Sequence, residues 1–172
     1  MPRPRGGLDD FFFKPAIPGS GLGAKIAFEA HIVGLNDASS PSWEENFDMG
    51  RADPKVFYRG FSRSINVSFM VVAVTKEEHR GNYDLMKRLA LLTYPIYKAG
   101  LGYNAPHVFY KIGKLLQGYG YMSSIDFNWE PDTAWIDEKP IITEANVVIK
   151  VLGNNLGERP EYKGGNYNYF GI

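Results

Sequence analysis

Residues 63–97 read RSINVSFMVVAVTKEEHRGNYDLMKRLALLTYPIY, and the fold class is decided there. Ile65, Val67, Phe69, Val71 and Ala73 alternate with Ser64, Asn66, Ser68 and Met70, the period of a strand with one face in a core. At Val72 and Val74 the second face turns apolar too, so the end of this strand is expected to be buried on both sides. Thr75-Lys76-Glu77-Glu78 then forms an S/T-x-x-E capping box, in which hydroxyl and carboxylate satisfy amides left open at a helix start. Leu85, Met86, Leu89 and Leu92 make one helical stripe that can lie flat on a sheet. Pro95 disfavours helical geometry at Tyr94, which ends the helix near Leu92 or Thr93, with Gly100 and Gly102 opening a loop.

Outward from this unit the chain reads as strand and turn. Upstream, Lys25–Leu35 is expected as a first strand, followed by a polar loop over Asn36–Met49 that contains Ser39-Ser40-Pro41-Ser42 and holds Trp43 and Phe47. Lys55–Tyr58 is a short extended piece broken by Gly60 before the long strand at Ser62–Val74. Downstream, His107–Leu116 pairs with Tyr121–Trp129 across a turn at Gln117-Gly118-Tyr119-Gly120. Ile125, Phe127 and Trp129 share the core face of that partner strand, and Ser124, Asp126 and Asn128 the wet one. Trp135 lies in the loop after Pro131, and Ile141–Leu152 is the last strand.

Three segments follow. Residues 1–24 are rich in proline and glycine and read as an extended arm anchored by Phe11, Phe12 and Phe13; residues 25–152 form one β domain with a flanking helix; residues 153–172, rich in Gly, Asn and Tyr, form a second arm. The basic N-terminus and the Phe11–Phe13 run are far too short for a signal peptide, and no stretch is apolar enough to span a bilayer, so we expect a protein made in the cytoplasm without an export signal and with no membrane partner.

Composition excludes several chemistries. The 19 basic residues balance the 19 acidic ones, so there is no net field to recruit nucleic acid. Without cysteine there is no disulfide, thiolate metal site or cysteine nucleophile. His31, His79 and His107 stand on separate elements without metal-ligand spacing, and His79, in the first helical turn, is expected to be solvated. Gly19-Ser20-Gly21-Leu22-Gly23 follows prolines where a phosphate loop needs a strand, and reads as a hinge. No serine sits in a nucleophile elbow. The expectation is a protein without catalytic residues, cofactor or metal.

Two binding readings stand beside a structural role. Trp43 and Trp135 have the character of a sugar-stacking platform, as in a carbohydrate-binding β-sandwich module, and Asp126 and Glu130 that of a hydrolase carboxylate pair. Arg51, Lys55, Arg59 and Arg63, interleaved with Phe57, Tyr58 and Phe61, form a basic stripe suited to ion pairing between subunits or to a solvated rim.

The runs Met49–Arg59, Arg63–Phe69, Asn82-Tyr83, Leu89-Ala90, Leu92–Tyr97 and Ala105-Pro106, followed by Ile112-Gly113, Tyr121–Ile125 and Pro140-Ile141, resemble the tail tube initiator and tube-like baseplate proteins of contractile-tailed bacteriophages, over roughly residues 49–152. The resemblance implies a tail-tube-like β-sandwich or partial barrel with one helix on its flank, assembled into a hexameric ring at the junction of baseplate hub and tube. Partners would be further copies of the chain and the neighbouring tube and hub proteins, with DNA only in passage and the virion as location. Inter-subunit contacts are expected at Phe11, Phe12, Phe13, Trp43, Arg51, Arg59, Arg63, Trp135, Tyr167 and Tyr169, and lumen-facing positions at Asn66, Ser68, Ser124, Asp126 and Asn128. Strand edges left open in one subunit would be completed by the next.

Overall fold

The computed structural model describes residues 11–15, 25–50, 52–98, 102–104 and 106–152. The elements run β1 (Phe11–Pro15), β2 (Ile26–Ala27), β3 (His31–Asn46), β4 (Lys55–Val72), α1 (Lys76–Leu91), β5 (Ile96–Lys98), β6 (Gly102–Asn104), β7 (His107–Ile112), β8 (Leu116–Trp129), β9 (Trp135–Ile136), β10 (Lys139–Pro140) and β11 (Ile142–Val151). The described residues are thus mainly β with one helix. Seven strands form one sheet in the order β2-β1-β7-β8-β11-β4-β3, antiparallel at every contact.

This sheet is not flat. In its order β1 and β4 are four places apart, about 19 Å at the usual strand spacing. Yet the rings of Phe11 on β1 and Phe69 on β4 meet edge-on at 4.9 Å, and Phe28 packs on Phe69 at 5.1 Å. The sheet therefore folds over on itself, and its two halves enclose the core as in a sandwich or partial barrel. The corner is β8, whose first part pairs with β7 over Leu116–Tyr121 and whose later part pairs with β11 over Gly120–Trp129. Gly120 belongs to both pairings, beside an irregular step between Val148 and Ile149. A side chain there would penetrate the Lys150 carbonyl oxygen, which is why the corner carries glycine.

Inside the fold lie Phe11, Phe13, Ile26 and Phe28 from the N-terminal part, Ile65, Val67, Phe69 and Val71 from β4, and Ala145, Val147, Ile149 and Val151 from β11. Met86, Leu89 and Leu92 complete this core from α1, with Leu85 at its margin. The capping box is formed: Thr75 Oγ1 accepts from the Glu78 amide at 3.2 Å, and the Glu78 carboxylate accepts from the amides of Thr75 and Val74.

Several expectations are corrected. Phe11–Pro15, expected in an arm, is a strand of the main sheet, because alternate residues Phe11 and Phe13 fill the fold-over. The rest of segment 1–24 and all of 153–172 lie outside the described residues. Asn36–Asn46, expected as a loop, continues β3. Pro41 is tolerated because β3 is the last strand of the sheet, where a missing amide need not break a ladder. Gly60 does not interrupt β4; it adjoins a bulge at which Arg59 is the extra residue. The β7–β8 turn sits at 113–115, with Gly113 at φ 57, because only glycine takes that conformation freely. Ile96–Lys98 and Gly102–Asn104 pair as a small hairpin in place of the expected loop. Val72 and Val74, expected to be buried on both sides, are 45% and 66% exposed.

Replacing Gly120 by alanine is expected to cost about 3 kcal/mol, the upper end of overpacking effects, since backbone and not a flexible side chain blocks the site. Urea denaturation measures this; an unchanged midpoint would mean that the corner is slacker than described.

Candidate assembly interface

β3 and β4 are longer than the sheet that supports them. β11 pairs with β4 only between Ser64 and Val72, whereas β3 and β4 stay paired from His31–Met70 out to Asn46–Lys55. Past Arg63 the two strands leave the body as a two-stranded arm, about eight residues or roughly 26 Å long.

The alternation of the core continues onto the arm. Ile65 and Arg63 point to the core side, and Phe61, paired with Pro41, follows in the same phase. Beyond the bulge, Tyr58 pairs with Trp43 and Val56 with Glu45, still in phase with the core side of β3. Phe61, Trp43, Tyr58 and Val56 thus extend the apolar face of the subunit into water. Trp43 is 58% exposed and Tyr58 54%, their rings meeting edge-on at 5.0 Å. The arm's cations are matched internally, Arg59 with Glu44 and Lys55 with Asp48, while Glu45 lies beside Val56.

At the root of the arm lies a polar knot. Arg63, expected at a subunit contact, is instead buried within the subunit and donates to both carboxylate oxygens of Asp37, at 2.8 and 2.5 Å. Tyr110 of β7 faces this pair from the opposite half of the fold. Burial pushes its hydroxyl up to about 12, with the Arg63 charge opposing and the Asp37 charge adding.

A second surface is the face of the sheet turned away from the core. Asn66, Ser68, Ser124, Asp126 and Asn128, expected on one wet side, are brought onto it together, in rows Asn66–Val148–Ser124, Ser68–Asn146–Asp126 and Met70–Glu144–Asn128. In these rows and at Lys150, farther along β11, its charges are Asp126, Glu144 and Lys150, so this part of the face is close to neutral.

At the far end of the sheet α1 grips the β9–β10 hairpin. His79, expected to be solvated, is 2% exposed, with Nε2 3.3 Å from the Pro140 carbonyl oxygen, to which the Tyr83 hydroxyl also donates at 3.1 Å. Tyr83 stacks on Trp129 at 5.6 Å, and Arg80 pairs with Asp137, which with Glu138 takes positive φ in the tight turn. Trp135, expected in a loop, is on β9 and donates to the Pro131 carbonyl. Trp43 and Trp135 are therefore at opposite ends of the sheet and make no common sugar platform. Phe11 and Phe13, expected at subunit contacts, are core residues, while Phe12 is half-buried beneath Lys25. Arg51, Tyr167 and Tyr169 lie outside the described residues.

No family model matches the chain, and no curated protein matches it. Among solved structures it is similar to a chain of the tail of an empty gene transfer agent particle with C6 symmetry, at 14% identity and a TM-score of 0.39. It is also similar to a chain of the virion of a native gene transfer agent particle, at 12% identity and a TM-score of 0.37. Each likeness covers 84% of this chain and 92% of the other. Likenesses of this depth carry no argument about what the chain does.

The signal for the arm lay in the alternation of Trp43, Glu45, Val56 and Tyr58 across a segment whose Ser and Pro content imitates a loop. Nothing local in the sequence marks the Asp37–Arg63–Tyr110 knot, whose members are far apart in the chain.

The knot has a consequence at alkaline pH. Unfolded, Tyr110 loses its proton near the ordinary tyrosine value of 10.0; folded, it holds it to about 12. Its stabilising contribution is complete below pH 10 and is lost as pH rises through that window. Stability measured by denaturation from pH 9 to 12 is expected to fall, and to fall less steeply in Tyr110→Phe. Equal slopes would remove Tyr110 from the account.

Proposed function

We propose that the chain is a structural subunit of a contractile phage-like tail, forming a hexameric ring at the baseplate hub that initiates or extends the tube through which DNA passes. The observation that carries this reading is the arm: an apolar face continuous with the core, left uncovered by the described residues of the subunit. A two-stranded hairpin is marginal in water on its own, and one that exposes Trp43, Tyr58 and Val56 gains by being covered. β3 is also a long strand at the end of the sheet formed by the described residues, and ring closure removes such edges by pairing them with a neighbour.

The face bearing Asn66, Ser68, Ser124, Asp126 and Asn128 suits a bore. A duplex is held through phosphate neutralisation by Lys and Arg, and a nearly neutral wall of short polar side chains lets it slide. The sequence resemblance over residues 49–152 supports the same role. In this reading the partners are further copies and the adjoining tube and hub proteins, the location is the virion, and the contribution is assembly and not catalysis. No helix among the described residues is long and apolar enough to cross a membrane.

Light scattering and negative-stain imaging of the purified chain, alone and with the tube protein of its own tail, are expected to show annuli whose mass is six times the 19.3 kDa subunit. A monomer under both conditions at high concentration, together with its absence from isolated tails, would contradict the reading.

A further inference from the structure

The wet face changes character at one end. Through Asn66, Ser68, Asn146 and Asp126 it is polar, but toward the end of β4 apolar side chains gather: Met70, between Glu144 of β11 and His31 of β3, Val72 with its partner Ile142, and Val74 just past the strand, with Val33 in the nearby bulge of β3 between Ile32 and Gly34. Val33, Val72 and Val74 are 56%, 45% and 66% exposed. Nothing in the described subunit covers this patch. An alternating strand that turns apolar on its second face is the signature of burial on both sides, and the described residues of the subunit do not supply it.

The arm offers the matching half. Its apolar stripe is on the core side of β4 near Tyr58, and the patch is on the opposite side of the same strand near Val72. We propose that the patch is the acceptor for the arm of a second copy, so that successive subunits overlap in a lap joint: the core-side face of one arm lies on the outward face of the next sheet. This deepens the assembly reading given above and rests on it.

Three features favour a second copy as the occupant. The two surfaces are on opposite faces at opposite ends of one strand, so shifting one copy along β4 by nearly the strand's length and by one sheet-packing distance, about 10 Å, brings them face to face. Such a contact is head-to-tail, and repetition generates a ring or a stack. The arm's cations are matched by its own carboxylates and Glu45 remains beside Val56, which leaves a mainly apolar surface with one carboxylate, suited to the Val and Met patch and unsuited to a polyanion. Half-exposed aromatic and aliphatic side chains on the two sides, with their polar margins, bury on the order of 1,000 Å² in total, the lower bound for a specific interface. Repetition around an assembly strengthens a contact of that size.

Because the chain has no cysteine, the joint can be read by cross-linking. Tyr58 and Val72 are separated by about 46 Å along β4, whereas a disulfide needs Cα atoms within about 7 Å. Under oxidation a mixture of the Tyr58→Cys and Val72→Cys proteins is expected to yield a mixed dimer, and the double variant a ladder of linked copies. Val72→Glu, at an exposed position that leaves the subunit folded by circular dichroism, is expected to weaken assembly at least about tenfold. If annuli form but Tyr58→Cys pairs only with itself or with nothing, or if Val72→Glu assembles like the unmodified chain, the lap joint is wrong and the tail reading survives. If the unmodified chain does not assemble, alone or with its tube protein, both fall.

Discussion

Everything distinctive about this molecule depends on one strand pair that starts inside a core and ends outside it. β3 and β4 are continuous, yet the half-sheet that covers their core side reaches only as far as the Asp37–Arg63 ion pair. Up to that pair the alternating side chains are Ile65, Val67 and Phe69, all fully buried; beyond it they are Phe61, Tyr58 and Val56, and the cover is gone. The ion pair lets the transition occur without an open gap, since a guanidinium satisfied by two carboxylate oxygens tolerates a place that is neither core nor solvent.

The fold-over decides where cover ends. Gly120 lets β8 turn the corner, β7 and β1 come back over β4 and β11, and Phe11 and Phe13 fill the space between. At the far end α1 and the β9–β10 hairpin, held by His79, Tyr83 and Arg80, close the same core. The subunit is thus sealed at one end and open at the other along the arm. The apolar face along the arm is the continuation of the core that the described residues leave uncovered.

Local chemistry was legible in the sequence, and geometry set by distant partners was not. The capping box at Thr75–Glu78, the stripe Met86, Leu89 and Leu92, and the wet phase of Asn66, Ser68, Ser124, Asp126 and Asn128 depend on spacing alone, and each forms as the spacing dictates. Ser39-Ser40-Pro41-Ser42 has the composition of a turn, and only its place at the end of the sheet makes it a strand. Phe11–Phe13 reads as an anchor, but whether it anchors to its own body or to another depends on a fold-over that no local pattern announces. Arg63 belongs by sequence to a basic stripe, and it is withdrawn from that stripe because Asp37, across the strand pair, reaches it. Val72 and Val74 carry the pattern of two-sided burial on a surface that the described residues leave open.

Amide hydrogen exchange over Ser39–Asn46 and Lys55–Ser62, compared between the isolated subunit and its assembled form, tests the central claim most directly. If the arm is completed by a neighbour, these amides exchange quickly in the free subunit and become strongly protected on assembly, while those of Ile65–Val71 change little. Equal exchange of the arm in both states would contradict the account, because the exposed continuation of the core would then have no partner to cover it.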